Sequence, residues 1–249
     1  MDYSSNNVIV QMVEWLLFPG NWSGVRGIPA RVLEHIGYTL LTMLIAVLIA
    51  APVGLYVGHT GKGRVVVVAA IGTLRALPTL GMVFLFVLLA GLGLMPPIWA
   101  LVLLAVPPLL SGIYAGISSV DPSVTDAARS LGMNELQILF TVELPNALQV
   151  IMGGVRAATL QVVATAAVVA YINLGGLGVF LVEGTQIRDN GRLFGGAVLI
   201  TVLALVVDFA LGLLQRWLVP PGLRIDYGRE APQNSGRQQA VASAQGGTT

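Results

Sequence analysis

The chain has 249 residues, of which 55% are hydrophobic and 10% are charged, with a formal net charge of +1. A soluble domain carries about 25% charged residues, so this chain has too few charges to cover a water-facing surface, and the lipid bilayer is its natural solvent. The near-neutral charge gives no reason to expect a nucleic-acid partner, and a chain with no cysteine and only two histidines offers no disulfide, no thiolate chemistry and no histidine-based metal site.

The N-terminal segment, residues 1–30, lacks the basic region that opens a cleavable signal peptide. Its apolar run over residues 8–18 is interrupted by Gln11 and Glu14, and it is shorter than the roughly 20 apolar residues that crossing a bilayer requires. We interpret this run as an interfacial helix that lies on the membrane, with a disordered leader as the alternative.

Five apolar stretches follow, and each is long enough to cross the bilayer as a helix. They cover residues 36–57, 65–94, 98–117, 147–172 and 193–219. The second stretch would be about 45 Å long as a straight helix, against about 30 Å of hydrocarbon. We therefore expect it to tilt, kink or break, with Pro78 as the point of the break, or to form two spans.

The lysines and arginines of the loops are unevenly divided between the two ends of a five-span bundle. One end holds Lys62, Arg64, Arg129, Arg216, Arg224, Arg229 and Arg237, and the other holds Arg26, Arg31, Arg188 and Arg192. Because cytoplasmic loops carry the excess of positive residues, we expect the N-terminus outside and the C-terminus inside. Residues 220–249 are polar and are predicted to form a disordered cytoplasmic tail.

The segment between the third and fourth apolar stretches has the pattern of two short helices joined by a sharp corner. Asp121 can cap the first helix, and Gly132 can end it because glycine adopts the left-handed conformation without steric penalty. Asn134 and Gln137 can form a capping box for the second helix. On these grounds alone the segment is either a rigid element that a partner holds or an ordinary amphipathic loop.

This segment, residues 121–145, resembles the EAA loop of ABC importer permeases, whose pattern is Glu-Ala-Ala, three residues, Gly, nine residues and Ile-x-Leu-Pro. Both spacings are kept, with Asp in place of Glu and Val in place of Ile. The matching residues are Asp126, Ala127, Ala128, Gly132, Val142, Leu144 and Pro145. The resemblance implies that the loop docks on a cytoplasmic ATPase and transmits its closure to the membrane helices. We expect Pro145 to stop the second short helix and to open the fourth span.

The similarity covers about residues 31–217 and implies a methionine-importer-like transmembrane domain over residues 31–219. The expected fold is an all-α membrane protein with about five transmembrane helices, an N-terminal interfacial helix and cytoplasmic coupling helices, in the bacterial cytoplasmic membrane. Narrower similarities to importers of glycine betaine, carnitine or choline occur at residues 75–80, 120–122, 142–145, 153–156 and 173–178. The substrate class rests on that resemblance alone, and another small amine or amino-acid derivative is the alternative.

The chain has no phosphate-binding loop, because its only lysine, Lys62, is not part of a G-x-x-x-x-G-K-[ST] pattern. We therefore expect a permease that is not an enzyme, with no catalytic or metal-binding residue and no cofactor of its own. ATP and magnesium are expected on a separate ATPase. The resemblance implies two copies of that ATP-binding subunit, a second permease that is identical or paralogous, and an extracytoplasmic solute-binding protein, with membrane lipid around the bundle.

Two other functional classes compete with this interpretation. A secondary transporter or channel would be expected to show paired intramembrane carboxylates or inverted repeats, and neither is evident in the sequence. A membrane-embedded enzyme would need a nucleophile with its base or a metal-binding cluster, and the predicted spans carry a single carboxylate, Asp208. The sequence therefore favours the importer permease.

Three charged residues lie deep within the predicted spans, Arg75, Arg156 and Asp208. At about 1.5 Å per residue each lies roughly 13–16 Å from the cytoplasmic end of its span, so the three share one layer. We expect Asp208 to pair with Arg156 or with Arg75, either as a packing contact or as a gate that opens with the pathway.

Glycines and other small residues mark two further features. Gly175, Gly176 and Gly178 follow the fourth stretch, and we expect them to break its helix and to shape an outer mouth where the binding protein would sit. The fourth stretch itself is dense in glycine and alanine, which predicts close helix packing, within the core or at a dimer interface.

Overall fold

The structure, a computed structural model, describes residues 6–172 and 174–219, and across these ranges every regular element is helical. The predicted tail, residues 220–249, lies outside the described residues. In chain order the described α-helices are α1 (Val8–Leu17), α2 (Ile28–Thr60), α3 (Arg64–Arg75), α4 (Thr79–Ala90), α5 (Met95–Ser118), α6 (Pro122–Ser130), α7 (Glu135–Gln137), α8 (Leu144–Ala166), α9 (Gly178–Ile187) and α10 (Asn190–Leu218). Short 3₁₀ segments lie at Pro19–Trp22 and Ala167–Ile172, and a π-helical turn lies at Ile138–Glu143.

Four helices in the described part are long and apolar enough to cross a membrane, and the number rises to five if the bent pair α3–α4 forms one span. The four are α2, α5, the continuous helix Glu135–Ile172 and α10. This agrees with the prediction of an all-α protein with about five transmembrane helices. The first span is longer than predicted, because its helix already begins at Ile28 with Pro29 in its first turn.

The second apolar stretch is broken where proline was expected to break it. The axes of α3 and α4 differ in direction by 92°, and the chain between them passes through Pro78 in an extended conformation. Proline has no backbone N–H and disfavours the helical conformation of the residue before it, so the helix ends at Arg75 and restarts at Thr79.

Helix α5 lies at the centre of the bundle and is the most buried of the spanning helices. A Cβ atom at Gly54 of α2 would lie 2.7 Å from the side chain of Ile113 of α5. A Cβ atom at Gly112 of α5 would lie 2.6 Å from the Cα atom of Gly154 of α8. These glycines let the backbones of α2, α5 and α8 approach closely, as packing in membranes favours.

The N-terminal helix packs on the last span. Trp15 of α1 is buried, its ring centroid lies 5.0 Å from that of Phe180 in an edge-on arrangement, and it covers Gly195 of α10. Residues 8–17 are therefore helical. The interfacial-helix interpretation requires such a helix, whereas a disordered leader would not form one. The position of α1 on the membrane stays a prediction.

Two details of the predicted elements were wrong or missing. Pro145 does not stop the second short helix, because α7, the π-helical turn and α8 form one continuous helix. The π-helical turn ends at Glu143, and Leu144 N–H donates to Leu139 O, five residues earlier. This wider hydrogen-bond pattern lets the helix continue through Pro145, which has no backbone N–H. Helix α9 was not predicted, because its ten residues are too short and too evenly apolar to stand out between two spans.

Candidate functional site

The first short helix of segment 121–145 is capped at both ends as expected. The carboxylate of Asp121 accepts a hydrogen bond of 2.8 Å from the backbone N–H of Ser123, which holds the pKa of that carboxyl below its ordinary value. At the other end Gly132 has a φ of 83°, and Met133 N–H reaches back to Ala128 O at 3.2 Å. This is the left-handed glycine cap that the sequence predicts.

The second short helix begins with the predicted capping box. The side chain of Asn134 accepts from Gln137 N–H at 2.9 Å, and the side chain of Gln137 accepts from Asn134 N–H at 2.9 Å. Reciprocal capping satisfies two backbone donors that would otherwise lack partners at the start of a helix. The corner between α6 and α7 is therefore fixed by local hydrogen bonds on both sides of Gly132.

Arg129 joins the two short helices to each other. Its guanidinium donates to Glu135 Oε1 at 3.0 Å and to Glu135 Oε2 at 3.2 Å, and to Asp126 Oδ1 at 2.9 Å. These contacts hold the pKa of the Glu135 carboxyl below its usual range and raise the pKa of Arg129, so both groups stay charged at neutral pH. The predicted coupling residue Asp126 is thus part of a charged network.

The network continues into the first span through His59, a residue that the sequence analysis did not single out. His59 Nδ1 lies 2.7 Å from Glu143 Oε2, and His59 Nε2 lies 3.2 Å from Glu135 Oε2. Glu143 is buried, with 6% of its surface exposed, and a buried carboxylate is costly unless it is paired. The contacts of His59 therefore tie the end of α2 to both α7 and the π-helical turn that leads into α8.

The remaining predicted coupling residues lie on or beside this network. Ala127 is exposed on α6 while Ala128 is buried beneath it. Leu144 packs against a small buried cluster formed by Ile117, Leu139 and Ala147. Val142 and Pro145 are half-buried in the continuous helix that leads into α8. The loop therefore presents one surface of α6 and packs the opposite side of that helix against the π-helical turn.

Of the two pairings that the sequence allows for Asp208, the structure contains the pair with Arg156. The Nε and Nη2 atoms of Arg156 donate to the carboxylate of Asp208 at 2.9 and 2.8 Å, and Nη1 lies 3.4 Å from Gln215 Oε1. The two oppositely charged side chains thus bridge α8 and α10 in bidentate geometry, which is the stronger form of such a contact.

Arg75 does not join that pair. Within residues 6–172 and 174–219 it has no ion-pair or hydrogen-bond partner, and it lies at the end of α3, beside the break that Pro78 creates. Its side chain lines a cavity with Gln161 of α8. Arg75 therefore differs in its environment from Arg156, although the sequence places both in one layer.

The predicted mouth glycines pack against the N-terminal part of α2. Gly176 N–H donates to Glu34 Oε2 at 2.8 Å, and a Cβ atom at Gly175 would lie 2.4 Å from the same oxygen. A Cβ atom at Gly178 would lie 1.9 Å from Ala167 O. Gly175 and Gly178 therefore leave no room for a Cβ atom, and the φ of 73° at Gly176 disfavours one. The loop sits at the end of α2 opposite to His59 and segment 121–145.

His35 also holds this glycine loop. Leu177 N–H donates to His35 Nδ1 at 3.3 Å, so we assign the ring proton to Nε2, which lies 2.9 Å from Val163 O. The loop is thus linked through one buried side chain to both α2 and α8. Sequence reasoning missed this role because the partners of His35 are backbone groups that lie 128 and 142 residues away along the chain.

The small residues of α8 lie on two faces. Gly154 and Ala158 face the interior, where Gly154 meets Gly112. Gly153 and Ala157 are exposed on a neighbouring face of the helix. Close packing within the core is thus established for one face, and the dimer interface stays a prediction for the other.

Comparison with known proteins identifies the family. Residues 46–220 match the family model described as binding-protein-dependent transport system inner membrane component. The carnitine transport permease protein OpuCB of Listeria monocytogenes is 33% identical over 191 residues, which are 77% of this chain and 88% of that protein. The choline transport system permease protein OpuBB of Bacillus subtilis is 32% identical and is matched over 78% of this chain and 89% of its own length.

A third relative gives the same assignment, and a solved structure has the same fold. The osmoprotectant import permease protein OsmW of Salmonella typhimurium is 33% identical, over 77% of this chain and 91% of that protein. A chain of the MetNI methionine ABC transporter, in an inward-facing form, superposes with a TM-score of 0.67 and 23% identity, over 83% of this chain and 97% of that chain. That structural likeness shows a shared fold. The chain belongs to the family of inner membrane components of binding-protein-dependent transport systems.

Proposed function

We propose that this chain forms the translocation pathway of an ABC importer for a compatible solute of the quaternary-amine class, such as glycine betaine, carnitine or choline. The observation that carries the proposal is the identity of at least 30% to relatives named for carnitine, choline and osmoprotectant import, over more than three quarters of this chain. Nucleotide hydrolysis belongs to a separate ATPase, because this chain lacks a phosphate-binding loop.

The complex contains two permeases, identical or paralogous, two ATP-binding subunits and an extracytoplasmic binding protein. The N-terminus lies outside and the C-terminus inside, as the seven-to-four division of positive residues favours. Segment 121–145 is then cytoplasmic and meets the ATPase, whereas the glycine loop around Gly176 is on the outer side. The positions of these two features at opposite ends of α2 support that arrangement.

Segment 121–145 couples the closure of the ATPase to the helices of the bundle. Its corner is fixed by caps at Asp121 and Asn134, and its charged network reaches the end of α2 through His59. A stiff element transmits a displacement, whereas a flexible loop would absorb it. The two routes from the loop into the membrane are the continuous helix through the π-helical turn and the contacts of His59.

Uptake measurements test the substrate class. The chain would be produced with its partner ATPase and binding protein in cells that lack their own osmoprotectant importers. The cells would be supplied with radiolabelled glycine betaine, carnitine or choline at high osmolarity. We expect accumulation of at least one of these solutes. Accumulation of none of them, with the complex present in the membrane, would contradict the proposed class. A partner ATPase that lacks its phosphate-binding lysine is the matched control and should give no uptake.

Cross-linking tests the docking surface. Because the chain contains no cysteine, a single cysteine in place of the exposed Ala127 can be paired with single cysteines on the ATPase. We expect a disulfide-linked product from this position. A cysteine in place of the exposed Val25, ahead of α2 and at the opposite end, is the control and should give none. Linkage from Val25 and not from Ala127 would reverse the proposed orientation.

A further inference from the structure

A polar cavity lies at the break between α3 and α4, away from the coupling network. Its volume is about 430 Å³, within the range of roughly 300–1,000 Å³ that is usual for small-molecule sites. Arg75 and Thr79 line it from the two sides of the break, Leu104 and Pro108 line it from α5, and Ala157 and Gln161 line it from α8. Broken helices at membrane depth are tolerated where they line such a cavity.

Arg75 is the unusual member of this lining. The other arginine of the same predicted layer, Arg156, is neutralised by Asp208, whereas Arg75 has neither an ion-pair nor a hydrogen-bond partner in the described part of the chain. An unpaired cation within a span is expensive, so it is found where water or a ligand reaches it. The guanidinium of Arg75 is therefore available to the contents of the cavity.

The cavity-lining residues other than Arg75 limit the kinds of ligand that fit. Gln161 contributes a side-chain amide, whose Nε2 makes a long contact of 3.5 Å to Leu104 O, and most of the remaining side chains are apolar. A guanidinium binds carboxylates in bidentate geometry and repels a cation that has no anionic group. A small solute with a carboxylate at one end and apolar methyl groups at the other matches this combination.

Resting on the proposed function, we infer that Arg75 and Gln161 form a carboxylate subsite in the translocation pathway. Among the candidate solutes, glycine betaine and carnitine carry a carboxylate, whereas choline carries a hydroxyl and no carboxylate. The subsite therefore favours the passage of zwitterionic solutes over choline, and it acts after the binding protein has released the solute.

Parallel uptake of glycine betaine, carnitine and choline by the complete importer tests this subsite. Because the binding protein is the same for every permease variant, a change in the ratio between solutes reports on the permease. We expect Arg75→Gln to lower the uptake of glycine betaine and carnitine by about tenfold, as loss of a charged hydrogen bond predicts, and to leave choline uptake equal or higher. Arg75→Lys keeps the charge and should retain more carboxylate selectivity than Arg75→Gln.

Arg64→Gln removes a positive charge at the other end of α3, outside the cavity, and should leave all three solutes unchanged. An equal loss for all three solutes in Arg75→Gln, or no change in any of them, would overturn the subsite. If Arg75→Gln is absent from the membrane fraction, Arg75→Lys and Gln161→Leu are used instead. An unchanged ratio of glycine betaine and carnitine uptake to choline uptake in both of these variants overturns the inference. Failure of the unaltered importer to take up any of the three solutes would instead reject the proposed function, and the subsite with it.

Discussion

His59 near the end of α2 and Glu143 at the end of the π-helical turn that leads into α8 are joined by a contact of 2.7 Å between Nδ1 and Oε2. The two residues lie 84 positions apart in the chain, and Glu143 is buried. The same imidazole reaches Glu135 of α7, so one side chain of α2 contacts the coupling segment at two points.

Removal of this imidazole should weaken coupling, because it takes away the contacts between α2 and the coupling segment. We expect His59→Ala to lower ATP-driven uptake by about tenfold, since hydrogen bonds to charged groups contribute about 1.5–3 kcal/mol. Thr60→Ala, at the exposed neighbouring residue, is the control and should transport normally. The double variant with Glu143→Ala should lose little more than the worse single variant, whereas strictly additive losses would show that the two residues act independently.

The corner of the coupling segment depends on the backbone of Gly132. Its φ of 83° disfavours any residue with a Cβ atom, so Gly132→Ala should cost about 1–2 kcal/mol locally, and Gly132→Pro should abolish the corner. We expect both variants to reach the membrane and to show ATP hydrolysis that is uncoupled from uptake, more severely for proline. Normal uptake by Gly132→Pro would contradict the assigned role.

The pair of Arg156 and Asp208 should tolerate exchange of its charges better than the loss of either one. An unpaired charge at the centre of a span costs about 2.5–3.5 kcal/mol in insertion experiments, so Arg156→Asp or Asp208→Arg alone should reduce both membrane abundance and uptake. The combined exchange should recover part of both, measured by immunoblot and solute accumulation. A double variant no better than the single ones would count against a direct contact.

Adjacent glycines in α8 offer a matched test of the helix packing. A Cβ atom at Gly154 would lie 2.7 Å from Gly112 Cα and 3.1 Å from Pro108 O, whereas a Cβ atom at Gly153 would have no neighbour within 4 Å. Gly154→Ala should therefore lower the free energy of unfolding of the purified protein in detergent by about 1–3 kcal/mol, which a thermal unfolding measurement detects as a lower melting temperature. Gly153→Ala should leave the melting temperature unchanged. Equal behaviour of the two variants would argue against the close approach of α5 and α8.

Features that depend on neighbouring residues were predictable from the sequence. The caps at Asp121, Gly132 and Asn134 and the break at Pro78 follow from local backbone chemistry, and the structure contains all four. The spans follow from apolar length alone. These features fix the outline of the bundle and the shape of the coupling segment.

Contacts between residues distant in the chain were not predictable. The sequence left open which arginine pairs with Asp208, since depth along a helix does not specify which face of the helix a residue occupies. His59 gave no signal because its partners come from α7 and the π-helical turn. The continuity of the helix through Pro145 was missed because a π-helical turn has no strong sequence signature.

The dependence of transport on a separate ATPase is the central claim, and reconstitution into lipid vesicles measures it directly. Vesicles would contain the permease alone or the permease with its ATPase, in each case with the binding protein and labelled glycine betaine, carnitine or choline outside and ATP within. We predict that solute accumulates only when the ATPase is present and ATP is hydrolysed. Accumulation against a gradient by the permease alone would contradict the account.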